Sequence, residues 1–186
     1  MTNLKTNERA TIFSGGHDGL WKVKSVKSYR GPNLPAIARL NVHGDQIRPL
    51  NSVWSLCGVA SNDRYVERKE KTELQNIQAP LGRTEATCAA LIPIQKSEIW
   101  WTLTQDERRE IFEVKSHHIA MTMKHLPAIA RKLYHCRDLG EPFDFVTWFE
   151  FEAKHEAEFD ELLIQLRASV EWTYVTREVD IRLARE

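Results

Sequence analysis

Between Leu20 and Val26 the chain reads LWKVKSV, apolar and polar in alternation, the period of a strand with one buried face. Thr11–Phe13 is a shorter strand candidate, ended by Gly15 and Gly16. Val53–Ala60 (VWSLCGVA) and Thr87–Ile94 (TCAALIPI) are apolar runs of strand length. Phe143–Phe151 (FDFVTWFEF) alternates strongly and puts Phe143, Phe145, Phe149 and Phe151 on one face. Glu171–Ile181 (EWTYVTREVDI) reads as a final strand. Two segments have helical character. Tyr65–Gln78 is charged and rich in helix formers, with Pro80 and Gly82 stopping it. Phe159, Leu162, Leu163 and Leu166 recur at i, i+3, i+4 and i+7, which predicts an amphipathic helix over 153–168. Residues 1–10 are polar and read as a loose terminus. Residues 30–50, rich in Gly, Pro and Asn, resist assignment.

Taken in order, 52–182 gives strand, helix, strand, helical insert, strand, helix, strand. With the insert at about 97–138 set aside, this is the β-α-β-β-α-β order of a ferredoxin-like α+β sandwich or barrel. The expected division is a short N-terminal segment with strands, 1–50, and a ferredoxin-like domain, 51–186. A helical excursion from such a unit calls for a reason.

Within it, Thr104-Gln-Asp-Glu107 is a capping box that starts a helix at Thr104. At 100° per residue, Ile111, Val114, His118, Met121, Thr122 and His125 share one side. His117 falls among Glu110, Glu113 and Lys124. The adjacent histidines are therefore not equivalent: His118 points inward and His117 toward water. An inward histidine is either a hydrogen-bonded core residue or a metal or haem ligand. Pro127 then breaks the helix. Beyond it Arg131 stands among Ala128, Ile129, Ala130 and Leu133. Such an arginine either reaches water or a carboxylate, or is a fixed cation in an apolar pocket awaiting an anion. A neutral imidazole together with a permanent cation would suit a haem pocket, with the histidine as axial ligand and a carboxylate behind it. No CxxCH occurs, so such a haem would be held non-covalently.

Composition narrows the classes. Lys plus Arg and Asp plus Glu both number 26, so the net charge is zero, which argues against nucleic acid or a membrane surface as partner. The opening MTNLKTNERA lacks the apolar core of a signal peptide, and no apolar run is long enough to span a bilayer. Cys57, Cys88 and Cys136 make neither a CxxC nor a disulfide framework. A reducing cytoplasm is the expected location.

The stretches GVASNDRYVERKEK, AALIPIQKSEIWWTLTQDERREIFE, KSHHIA, LPAIARKLYHCRDLGEPFDFVTWFEF and EWTYVTREVDIRLAR resemble the chlorite dismutase family, in its shorter branch. The resemblance runs from about Trp54 to Arg185. It implies a dimeric α+β barrel and a homodimer. It implies a haem b enzyme that converts chlorite to chloride and molecular oxygen. By position it makes His118 the proximal iron ligand, Arg131 the flexible distal arginine, and Glu171, at the start of the last strand, the partner of the proximal histidine. Gln78 matches the residue that hydrogen-bonds the distal arginine, with Leu126 the apolar residue beside that arginine. Lys96, Trp100 and Tyr65 match positions near the haem edge and propionates, although each would also serve as a solvated or packed residue. In the implied reaction Arg131 retains the fragment released by Cl–O cleavage until the O–O bond forms. Coproheme decarboxylases share fold and proximal histidine but lack the distal arginine. A peroxidase-like haem protein would bind haem and evolve little oxygen. A non-haem binding module would show no Soret band. The aspartate of dye-decolourising peroxidases has no counterpart.

Overall fold

A computed structural model of the chain describes residues 10–44, 48–60 and 65–185. Most of the loose terminus expected at 1–10 lies outside them. Eight strands close into one barrel: β1 (Ala10–Gly16), β2 (Trp21–Arg30), β3 (Arg39–His43), β4 (Trp54–Ala60), β5 (Cys88–Lys96), β6 (Ala130–His135), β7 (Phe145–Phe151) and β8 (Val175–Arg185). Their order around the barrel is β1-β3-β2-β8-β5-β7-β6-β4, and every pairing is antiparallel. Five helices join them: α1 (Arg68–Ile77), α2 (Glu98–Thr102), α3 (Gln105–Arg109), α4 (His118–Met123) and α5 (Glu156–Arg167).

The second half is a β-α-β-β-α-β arrangement, shifted by one strand and one helix from the sequence expectation. Strands β8-β5-β7-β6 lie side by side. The helices from α2 to α4 cross from β5 to β6, and α5 crosses from β7 to β8. The segment expected to be an insert at 97–138 is thus the first crossover of the unit, and it is helical only as far as Met123. Its last part, Ala130–His135, is the strand β6. This strand escaped notice because ARKLYH is short and its outward face carries Arg131 rather than an apolar residue. The unassigned stretch 30–50 contributes β3.

Alternation explains the near-continuous apolar reading of β5. Ala89 and Leu91 enter the barrel interior with Phe13, Leu40, Leu56, Trp148 and Ile181. Ala90, Ile92 and Ile94 turn outward and pack with Phe145, Phe149 and Phe151 against Phe159, Leu162, Leu163 and Leu166 of α5. Both faces are therefore dry. Phe143 departs from its expected face: it precedes β7 and joins the interior cluster, while the other three phenylalanines stay outside. The final strand begins later than expected, since Glu171–Tyr174 is a 3-10 turn leading into β8.

The helix expected from Thr104 onward is not continuous. The capping box forms, with Thr104 and Glu107 satisfying each other's backbone amides, and starts α3. A turn of π-helix follows at Glu110–Lys115. His117 then takes a left-handed conformation (φ 51°, ψ 34°) before α4 begins at His118. The wider π turn slips the helical phase, so Val114, expected on the apolar stripe, is 55% exposed. Glu113 folds back over the break and accepts from the amide of Ile119 at 2.6 Å. The carboxylate thereby occupies donors at the start of α4 that lack intrahelical partners.

Candidate active site

A cavity of about 530 Å³ lies between the outer face of β5, β7 and β6, the helix α1 and the segment from α4 to the 171–174 turn. The size suits a small-molecule ligand or cofactor. Period-2 geometry selects the strand residues that reach it: Ile92, Ile94 and Lys96 from β5, Phe145, Thr147 and Phe149 from β7, and Arg131, Leu133 and His135 from β6. The floor is thus apolar with a few cationic or imidazole side chains set into it.

His118 and His117 separate as the sequence suggested, by a different route. His118 is 17% exposed at its side chain and lines the cavity; His117 is exposed. The left-handed residue between the π turn and α4 makes the division, rather than the phase of one long helix. His118 Nδ1 lies 2.7 Å from Glu171 Oε2, and Lys96 Nζ donates to Glu171 Oε1 at 2.7 Å. The backbone N–H of Glu171 donates to Ser116 Oγ at 2.8 Å, tying the turn to the residue before the histidine pair. Glu171 and Lys96 are each 3% exposed. Burial would raise the Glu171 carboxyl, but the Lys96 ammonium and His118 outweigh it and hold the pKa at about 2. A carboxylate ionised at neutral pH can only accept. His118 Nδ1 therefore donates to Glu171, which leaves Nε2 as the ring nitrogen that the carboxylate does not engage. Phe112 stacks on the imidazole, with centroids 4.2 Å apart and planes at 22°, and fixes the ring's tilt.

Arg131 enters the same cavity from β6 and makes no ion pair with any described residue. Partial desolvation of the half-buried guanidinium lowers its pKa to about 10, and it is charged at neutral pH. Gln78 is also in the wall, but its Nε2 donates to the backbone carbonyl of Arg131 at 2.7 Å, not to the guanidinium. Its role in this arrangement is to hold the strand at that residue. Lys96, expected at the cofactor edge, spends its charge on Glu171 and sits 4.5 Å from the Trp100 ring centroid. Trp100 and Tyr65 both line the cavity, and Trp100 Nε1 and Tyr65 Oη are buried with no hydrogen-bond partner among the described residues. Unsatisfied buried donors cost free energy, so two of them in one cavity wall call for an acceptor that the protein does not supply. Leu126 is not among the lining residues. Phe112, Thr122 and His135 are lining residues missed by the sequence reading. Alternation along β6 would have identified His135, four positions beyond Arg131 on the same face, had the strand been recognised.

The donor set fits haem. Among the described residues no group of three His, Cys, Asp or Glu side chains converges as a bare metal ion needs. One imidazole lone pair suits an iron whose other nitrogen donors come with a macrocycle. The apolar floor suits a porphyrin face, and the free Trp100 and Tyr65 donors suit carboxylates at its edge.

No helix among the described residues is long and apolar enough to cross a membrane. The chlorite dismutase family profile matches residues 37–186, which include every candidate site residue. A dimeric chlorite dismutase from Nitrobacter winogradskyi, known by crystal structure, is 59% identical; the match covers 94% of this chain and 99% of that one, with a TM-score of 0.87. A mutant chlorite dismutase from Candidatus Nitrospira defluvii is 27% identical over 73% of this chain and 56% of that one, with a TM-score of 0.60. The chlorite dismutase of Ideonella dechloratans is 29% identical over 130 residues, 66% of this chain but only 42% of that relative. With a profile that runs through both the histidine and the arginine of the cavity, the chain belongs to the chlorite dismutase family.

Proposed function

We propose that the cavity holds haem b, and that the loaded protein, as a homodimer, converts chlorite to chloride and molecular oxygen. The observation that carries this reading is the meeting in one cavity of a histidine whose Nε2 is not engaged by Glu171 and a half-buried guanidinium with no ion-pair partner among the described residues. The family match and the dimeric relative from Nitrobacter winogradskyi support it.

His118 Nε2 would hold the iron. Glu171 keeps the Nδ1 proton in place, and Lys96 keeps Glu171 ionised. Trp100 and Tyr65 would donate to the propionates. Haem, when bound, supplies the Cl–O cleavage and O–O bond formation. Arg131 attracts the chlorite anion, orients it, and holds the anionic fragment after cleavage. A fixed cation among apolar side chains acts more strongly than one in water, because little solvent screens it. Gln78 fixes the backbone from which Arg131 extends.

The test is dissolved oxygen after chlorite is added to haem-loaded protein. A burst near one oxygen per chlorite is the expected result. A Soret band without oxygen would overturn the reaction while leaving His118 as the ligand. No Soret band after haem is added would overturn the cofactor as well.

A further inference from the structure

The strand order forces an unusual position on α1. β4 and β5 are successive strands, yet β7 and β6 lie between them in the barrel. The connection must therefore run across the outside of β6 and β7, over the cavity. α1 is the helical part of that crossing, and none of its residues is buried. On its inward side Leu74 and Gln75, with Gln78 just past its end, line the cavity. A short helix in water is marginal unless an amphipathic face is packed. Leu74 and Gln75 face the space a ligand would fill.

What fastens it is concentrated at its ends. At the C-terminal end Gln78 donates to the Arg131 carbonyl, and the Gly82 amide donates to Glu150 Oε2 at 2.5 Å. At the N-terminal end Arg109 reaches across from the element leading to His118. Its two terminal nitrogens donate to the two oxygens of Glu70 at 2.8 and 2.7 Å, and Nη1 also donates to the Tyr65 carbonyl. Glu67 lies 3.6 Å from the same guanidinium. Tyr65, with φ 62°, holds a left-handed conformation at this point, and its unpartnered hydroxyl lies in the cavity wall. One side chain thus joins the strap, the strained residue and the segment that bears the histidine.

We propose that α1 is a strap that completes its packing on the bound cofactor, and that Arg109 is a positioning residue that latches it through Glu70 and Tyr65. This rests on the haem reading. Without the cofactor Leu74 and Gln75 are left uncovered, and the amides of the strap open at low local cost. With the cofactor bound, the inward side is covered and the latch keeps the cofactor from leaving.

The test has two arms. Hydrogen exchange of the 68–77 segment is compared in haem-free and haem-loaded wild type. Haem loss to excess apomyoglobin is then timed for wild type, Arg109→Gln, Glu70→Gln and the charge-swapped pair Arg109→Glu with Glu70→Arg. The expected results are slower exchange in 68–77 on loading, and haem loss faster by about three- to tenfold in each single variant, in keeping with a partly exposed bidentate pair. The swapped pair should recover part of the lost retention, and the Soret maximum should match wild type throughout, because His118 is untouched. Equal exchange with and without haem would overturn the strap. Wild-type haem loss in both single variants, or no recovery in the swapped pair, would overturn the latch. A shifted Soret maximum in Arg109→Gln would mean that the residue acts on His118 rather than on the strap. A wild-type protein that forms no Soret band would overturn the haem reading and the strap together.

Discussion

Glu171→Gln tests the charge arrangement behind His118. The carboxylate is buried, and it faces a buried ammonium at 2.7 Å on one oxygen and an imidazole N–H at 2.7 Å on the other. Its fall from an ordinary 4.5 to about 2 gives a measure of the interaction. At about 1.36 kcal/mol per tenfold change in acidity, the ionised form gains about 3 kcal/mol in the folded state. The sign follows from a folded pKa below the unfolded one. The stabilisation is complete above pH 4.5 and is lost as pH falls from there toward 2. Replacing the carboxylate leaves the Lys96 ammonium buried and uncompensated, a change that costs about 3–5 kcal/mol in general. Both routes lead to a similar magnitude, a drop of roughly 6–12 °C in midpoint for a chain of this length. Urea unfolding of the haem-free protein at pH 7 and pH 3.5 is the assay. The gap between wild type and variant should be about 3 kcal/mol at pH 7 and clearly narrower at pH 3.5. As a control, Glu73→Gln removes an exposed partner 4.0 Å from Lys69 and should change stability by less than about 0.5 kcal/mol. A gap that does not depend on pH, or one no larger than the control, would refute the buried-pair reasoning.

Three further outcomes follow from the same geometry. His118→Ala should abolish the Soret band of haem-loaded protein while His117→Ala keeps it, and equal loss in both would contradict the separation at the left-handed residue. Arg131→Ala should retain haem, release less oxygen and bleach faster under chlorite; oxygen release as durable as in wild type would contradict its role as the anion's clamp. Gly58→Ala places a Cβ 2.6 Å from the Tyr134 Cβ and 3.0 Å from Cys136 Sγ, so urea unfolding should show a loss of about 1–3 kcal/mol at the β4–β6 seam.

How much was legible depended on whether local pattern or long-range pairing decided the outcome. The phenylalanine-rich run at 145–151 and the leucines of α5 were readable because each buries one face at a fixed period. β6 was not, because it is only six residues long, its outward positions are Arg131, Leu133 and His135 rather than an apolar row, and its other neighbour, β4, lies some seventy residues earlier. Its pairing with the next strand, β7, follows once the strand itself is recognised. The division of His117 from His118 was reached with a continuous helix as premise, whereas the structure uses a π turn and a left-handed residue. The result survives because Glu171 and Phe112 hold His118 inward whatever the phase of the preceding turn. The partner of Lys96 was out of reach of any local pattern: 75 residues separate it from Glu171, and only the β5–β8 pairing and the 171–174 turn bring them together.

The charges on the two sides of the cavity are organised differently, and that difference decides which group an anion would meet. On the histidine side, cation and anion are matched: Lys96 and Glu171 neutralise each other at 2.7 Å, and His118 Nδ1 meets the remaining carboxylate oxygen. Such an ion pair has little net field beyond its own length. On the β6 side Arg131 has no carboxylate partner among the described residues, and its half-buried setting has already taken away part of its hydration, which is what brings its pKa down to about 10. That desolvation is a cost in the empty protein, and a small anion arriving in the cavity would repay part of it. At about 4 Å and an effective dielectric near 20, one anion beside one cation gains about 4 kcal/mol, against about 1 kcal/mol in bulk water. Placing a carboxylate diagonally across from Arg131, as in Thr147→Glu on the neighbouring strand, where Thr147 faces Leu133, would offset this charge as Glu171 offsets that of Lys96. The expected result is haem binding retained and chlorite KM raised by about tenfold or more, the loss that removing most of that difference implies. An unchanged KM in that variant would mean that the cavity draws its anion by some group other than Arg131.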